Sequence, residues 1–355
     1  MQNDCEQADV FSAGADGVHT YRIPALKVSS GGALLAFCEA RKISGKDASP
    51  TDLVLRRSLD QGSTWLPLQR VVPGIGLEAI MNPCPVVEGD ITWLFCMNAH
   101  KTAPGHHRYL LLRSADDGLT WSDPVDVTSG IGDDTFIPGP GGGIALRNGK
   151  LIIPGYSAVF ASDGTRVATY SRVAISADQG RSWHLGTPVA YAMSNESQVV
   201  ERADGSLVLN WRIQIKNEGH PGCRGSAVSR DQGETWSEPM LVPALNEAPC
   251  QAGFISCRWP GREGAPPVLF SNNDVGGAAG GQARKKMTVR VSFDEGRSWP
   301  VSRLVHAGPS AYSSPAVLPD GRIGLLYECG ESSAYEAIRL ARFPLEWLSL
   351  PKTNM

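Results

Sequence analysis

The 355-residue chain lacks several things, and each lack narrows what it can be. No stretch approaches the ~18 uninterrupted apolar residues of a membrane helix, so a helical span is excluded and a soluble chain is expected. Neither sign of charge dominates: 33 Lys and Arg against 36 Asp and Glu leave a formal net charge of -3. Without a basic field, and with only the short run Arg284, Lys285, Lys286, nucleic acid is not an expected partner. The eight cysteines (5, 38, 84, 96, 223, 250, 257 and 329) form no CxxC pair and no metal-finger spacing, which fits reduced thiols better than a disulfide framework. The opening Met1-Gln2-Asn3-Asp4-Cys5 has no basic-then-apolar leader. A cytoplasmic location is therefore expected, and a secreted or periplasmic one for a chain trimmed of its leader. Amphipathic helical periods are scarce, whereas 39 Gly and 25 Pro suit many tight turns.

What the chain has in quantity is a repeat. SLDQGSTW at 58–65, SADDGLTW at 114–121, SADQGRSW at 176–183, SRDQGETW at 229–236 and SFDEGRSW at 292–299 share S-x-D-x-G-x-[ST]-W. The copies recur about every 55 to 65 residues, so each marks one supersecondary unit. Asp can bond backbone amides a few residues on and Gly can take positive φ, so the box reads as a hairpin turn. Its Trp reads as core between neighbouring repeats, the indole N–H bonded to backbone. Runs such as DLVLRRS at 52–58, YLLLRSA at 109–115, GSLVLNW at 205–211 and TVRVSFD at 288–294 read as strands. The length divided by the period predicts an all-β, six-bladed β-propeller with four-stranded antiparallel blades, one domain over 1–355. The sixth unit has no box. It is expected to combine strands near 323–328 and 336–343 with an N-terminal strand, which closes the ring and removes sheet edges.

Three features are assigned to structure. One Asp per box is far short of a calcium site. His100, His106 and His107 have no ligand partner at metal spacing, and no metal or cofactor is expected. The cluster Gly139-Pro140-Gly141-Gly142-Gly143 precedes a strand-like run, IALRNGKLIIP, and is followed by no Gly-Lys-Ser/Thr, so it reads as a loop leading into a blade and not as a phosphate cradle.

The residues that stand apart are polar groups outside the boxes. Arg22 lies in the otherwise apolar HTYRIPAL at 19–26, where a half-buried guanidinium needs an anionic partner or ligand. Tyr-Arg-Ile-Pro-Ala-Leu together with the five Asp boxes resembles the non-viral sialidase family, in its animal cytosolic and bacterial branches. That resemblance implies an exo-α-sialidase acting on sialylated oligosaccharides, glycoproteins and gangliosides. It implies three arginines on the substrate carboxylate: Arg22, Arg212 in VLNWR, and Arg284 in preference to Arg290. It also implies a tyrosine nucleophile, Tyr312, paired with Glu196, and an acid/base, Asp47, in preference to Asp52. Glu39, Arg41, Met81, Asn82, Tyr156 and Glu328 match positions that line the substrate or orient the arginines, with Glu328 expected to hold Arg22. Ala158 departs from the second aromatic of the animal branch. The chemistry is coherent, since guanidinium forks grip a carboxylate and a phenol, unlike a carboxylate nucleophile, is not repelled by it. Other readings are a propeller that binds sialoglycans without cleaving them, a transferase, and a hydrolase of another nonulosonic acid.

Overall fold

The computed structural model describes residues 5–76, 78–99, 107–133, 135–214, 221–258, 264–276 and 283–349. Within them the chain is all-β: the helical pieces are Thr128–Ile131 and the 3-10 turns Ala15–Gly17 and Leu345–Ser349. The strands form successive antiparallel meanders. Thr20–Val28, Leu34–Arg41, Thr51–Ser58 and Gln69–Val72 pair in order. A single parallel bridge, Thr51 to Ala79, links them to the next meander, Ala79–Glu88, Ile91–Ala99, His107–Ser114 and Val125–Asp126. Then come Leu151–Phe160, Arg166–Ser176 and His184–Leu185, with Phe136–Pro138 and Ile144–Ala145 both lying along Leu151–Phe160. Ser194–Glu201, Leu207–Ile213, Cys223–Ser229 and Met240–Asn246 follow. The long strand Val301–Val317 serves two meanders. Its first half pairs with Lys285–Ser292, which continues to Val268–Asn273 and Gly253–Ser256. Its second half pairs with Ile323–Cys329, then Ala337–Phe343, and the N-terminal strand Glu6–Ser12 takes the outer edge.

The core lies in the seams between neighbouring meanders. Ala25, Leu35, Phe37 and Leu55 meet Ile80, Leu94 and Leu112 in one seam. Ile152, Val173 and Ile175 meet Leu207, Leu209 and Trp211 in another. The last meander packs on the first through Phe11, Leu326 and Leu340 against Leu26, Leu34 and Ala36, so the ring closes. Each Leu, Ile, Val or Phe among them contributes about 1.5–3 kcal/mol by leaving water.

All five boxes connect the third strand of a meander to the next stretch of chain with the same bonds. The Ser hydroxyl donates to the Asp and accepts the Gly N–H, and the Asp accepts both the N–H and the hydroxyl of the Thr or Ser four residues on. The residue before the Gly is left-handed as well as the Gly, for example Gln179 at φ 59° and Gly180 at 75°. A Cβ at Gly180 would lie 2.6 Å from Leu111, so close approach to the neighbouring meander also requires glycine there.

Two sequence expectations need correction, the setting of the box tryptophans and the run that follows the glycine cluster. Of the box tryptophans only Trp183 is fully buried, while Trp65, Trp121, Trp236 and Trp299 are half-buried at the seams. Trp121 and Trp183 donate to the carbonyls of Gly118 and Gly180, but the indole nitrogens of Trp65, Trp236 and Trp299 have no partner among the described residues. The run IALRNGKLIIP is a hairpin, not one strand: Ile144–Ala145 turns at Asn148-Gly149 and returns as Leu151–Phe160. The glycine cluster is threaded among the first strands of other meanders, with Gln198 donating to Pro140 O, Ser314 to Gly141 O and Lys27 to Gly143 O. His100 and His106 lie outside the described residues, and His107 opens a strand.

Candidate active site

The second strands place the site. The sixth residue of Leu34–Arg41, Leu151–Phe160, Leu207–Ile213, Val268–Asn273 and Ile323–Cys329 is Glu39, Tyr156, Arg212, Asn273 and Glu328 respectively. The five polar side chains thus occupy equivalent places on their strands, and Glu39, Asn273 and Glu328 are fully buried there. The adjoining first strands are bulged. Their register shifts between Arg22 and Ala25, Met81 and Cys84, Ser194 and Ser197, and Ser310 and Ser313. Ile23 (φ 62°) and Asn82 (φ 55°) are left-handed there, an uncommon state and a strained one for β-branched Ile. Bulges of this kind re-aim side chains, and buried carboxylates hold them: Glu39 accepts the N–H of Asn82, and Glu328 accepts those of Ile23 and Tyr312.

Around these bulges the arginines and the tyrosine meet. Arg22 Nε donates to Glu328 at 2.7 Å, and the Arg22 and Arg284 guanidinium carbons each lie 5.5 Å from the Tyr312 ring centroid. The Tyr312 hydroxyl donates to Glu196 Oε1, and the other carboxylate oxygen accepts from Arg212 Nη1 at 2.7 Å. Burial and then the Glu196 charge push the Tyr312 phenol well above its usual range. Arg22 and Arg212 are raised even though burial opposes their charge, because Glu328 and Glu196 outweigh it. Arg284 donates to Tyr335 Oη and Pro249 O and has no carboxylate partner among the described residues. Converging guanidinium groups repel one another unless an anion joins them, so the cluster is built for an anionic ligand.

The remaining candidates surround this group. Asp47 sits on the loop after Leu34–Arg41 with its side chain 82% exposed and one oxygen 2.9 Å from Arg41 Nη1. Arg41 is itself fixed by two bonds to Glu39. Tyr156 is buried near Glu196, and burial followed by that charge raises its phenol to about 12. Asn82 donates its side-chain amide to Pro138 O, Met81 is half-buried beside it, and Ala158 is buried on the Tyr156 strand. The two competitors lie elsewhere in the bonding pattern. Asp52 is buried, accepts the Gly74 N–H, and pairs with Lys42 and Arg70. Arg290 pairs with Asp274 and bonds Asn272 inside its own meander.

Sequence reasoning missed Tyr335, Asn273 and Gln251. Asn273 donates to Ser310 O, and Gln251 bonds both backbone groups of Ser313, so the two hold the ends of the bulge that carries Tyr312. The register of Asn273 with Glu328 was the available signal, while Tyr335 and Gln251 lie on connecting segments with none.

A closed ring of Asp-box meanders with an arginine cluster at one end defines a class, and comparison with known proteins names it. The BNR repeat-like domain family matches residues 32–325. Over 96% of its length the chain is 32% identical to a sialidase of Micromonospora viridifaciens, spanning about half (54%) of that longer protein. It is also 32% identical to Sialidase-3 of Mus musculus, covering 91% of each. A solved Hadza microbial sialidase superposes with a TM-score of 0.83 at 28% identity, over 96% of this chain and 69% of that one. The chain belongs to the sialidase family and shares its β-propeller fold.

Proposed function

We propose that the chain is an exo-α-sialidase that hydrolyses terminal α-ketosidic sialic acids of oligosaccharides, glycoproteins and gangliosides with retention of configuration. The observation that carries this reading is the continuous chain of bonds Tyr312, Glu196, Arg212, flanked by Arg22 and Arg284. In the first step the Tyr312 oxygen attacks C2 of the sugar, its proton passes to Glu196, and the C2 to aglycone bond breaks as Asp47 protonates the leaving oxygen. The phenol is too strongly held to ionise alone, so proton transfer to Glu196 accompanies attack. In the second step water adds to C2, Asp47 takes its proton, and Tyr312 departs, recovering its proton from Glu196. The arginines hold the carboxylate and with it the anomeric carbon, so the positive charge that develops at the ring is met by a prearranged field.

The same reading includes a single six-bladed propeller of four-stranded blades. It is supported by the apolar seams between successive meanders and by the last strand pair packing on the first. It also includes a reducing compartment, supported by eight cysteines that are all buried free thiols. The test is fluorophore release from an α-ketoside of N-acetylneuraminic acid. Wild-type turnover blocked by a planar unsaturated sialic acid analogue is expected, and Tyr312→Phe should lower kcat by about a thousandfold or more with unchanged thermal stability. Analogue binding without turnover would replace the hydrolase by a glycan-binding propeller.

A further inference from the structure

Tyr335 stands outside every motif, on the segment between Ile323–Cys329 and Ala337–Phe343. Its ring lies 4.1 Å from the Arg22 guanidinium carbon, and its hydroxyl accepts from Arg284 Nη1 at 2.8 Å. Tyr312 also lies 5.5 Å from each, so both tyrosine rings stand beside this pair of like charges. Among the described residues Glu328 forms its direct ion pair with Arg22 and not with Arg284. Arg284 depends on two neutral acceptors, Tyr335 Oη and Pro249 O.

The segment that carries Tyr335 is preset. The Glu336 carboxylate accepts the N–H groups of Glu331, Ser332 and Ser333, and the Tyr335 N–H donates to Ser333 Oγ. A Cβ at Gly330 would lie 2.1 Å from Ser333 O, so the turn closes only on glycine. A loop merely covering apolar surface needs none of this. A loop that must hold one hydroxyl against one guanidinium does.

We propose that Tyr335 is a positioning residue that sets the Arg22 and Arg284 forks for the substrate carboxylate, the ring fixing one and the hydroxyl the other. The inference rests on the sialidase reading and concerns binding of the anionic end of the ligand, not the attack at C2.

Tyr335→Phe keeps the ring over Arg22 and removes only the acceptor for Arg284. KM, and Kd for the unsaturated sialic acid analogue, should each rise about tenfold, the size of one hydrogen bond to a charged group, with kcat within about twofold. Tyr335→Ala also removes the stack and should weaken the analogue by a further several-fold. Thermal unfolding, measured in parallel, should be unchanged in Tyr335→Phe. Analogue affinity equal to wild type in Tyr335→Phe, or a loss confined to kcat, would overturn the role of Tyr335 while leaving the sialidase reading intact. Wild-type protein that neither binds the analogue nor cleaves the ketoside would overturn both.

Discussion

The rim of the propeller and its centre are built by opposite means. At the rim, the Ser, the Asp and the second hydroxyl residue of each Asp box close their shared bonds within seven residues, and five copies make the same bonds. At the centre, the contacts occur once and the decisive ones join residues far apart in the chain: Arg22 to Glu328, Tyr312 to Glu196, Arg284 to Tyr335. The rim is therefore redundant and locally coded, whereas the centre depends on every seam of the ring being in register. Damage to one box should be absorbed, and damage to one central residue should not.

The largest test of that contrast is Asp47→Ala. Among the described residues its exposed side chain pairs with Arg41 alone, so stability should be unchanged while kcat/KM on natural, poorly leaving aglycones falls by about a hundred- to ten-thousandfold. The loss should be much smaller with an activated aryl ketoside, and comparing the two substrates checks the acid role. An equal loss on both would assign Asp47 to binding instead.

Next in size, Glu328→Gln leaves the buried Arg22 charge without its counter-ion and weakens the hold on two bulge N–H groups. Breaking a buried pair of this kind costs about 3–5 kcal/mol, readable as a shift in the denaturant midpoint, with turnover lost in the fraction that stays folded. A cost below about 1 kcal/mol, typical of an exposed pair, would mean that the centre is not held by its long-range contacts.

The smallest effect belongs to a single box. Hydrogen bonds from Thr64, with help from Ser58, hold Asp60 at about 2, and those from Ser182 and Ser176 do the same for Asp178. Their folded values lie below the ~3.9 of an unfolded Asp, so they contribute stability above about pH 4 that is lost as pH falls towards 2. Asp60→Asn should flatten that part of the acid unfolding curve and leave turnover near neutral pH unchanged. A substantial loss of activity at pH 7 would show that rim and centre are coupled.

How much was legible follows the same division. The box turns and the strands beside them could be expected from local pattern, because turn chemistry and alternation act over a few residues; the N-terminal strand that joins Ala337–Phe343 was expected from the repeat count and the closing of the ring. Arg22 stood out because a charge in an apolar strand needs a partner. Tyr312, Glu196 and Asp47 carry no local mark; each could be an ordinary rim residue, and only resemblance to a family singled them out. Asn273 was legible only through its place at the same strand position as Glu328, and Gln251 and Tyr335 were not legible at all, since a Tyr in a loop has the same neighbours in sequence whether or not it faces an arginine.

By itself, the sequence determined an all-β chain, the period of its repeat and the chemistry of each turn, since these depend on backbone preferences and bonds closed within one hairpin. Only the tertiary structure decided which of the many arginines converge, that the Tyr312 hydroxyl bonds Glu196, and that Tyr335 touches both Arg22 and Arg284. Those contacts exist only once the ring has closed, when strands far apart in sequence, such as those carrying Arg22 and Glu328, bring their side chains to one place.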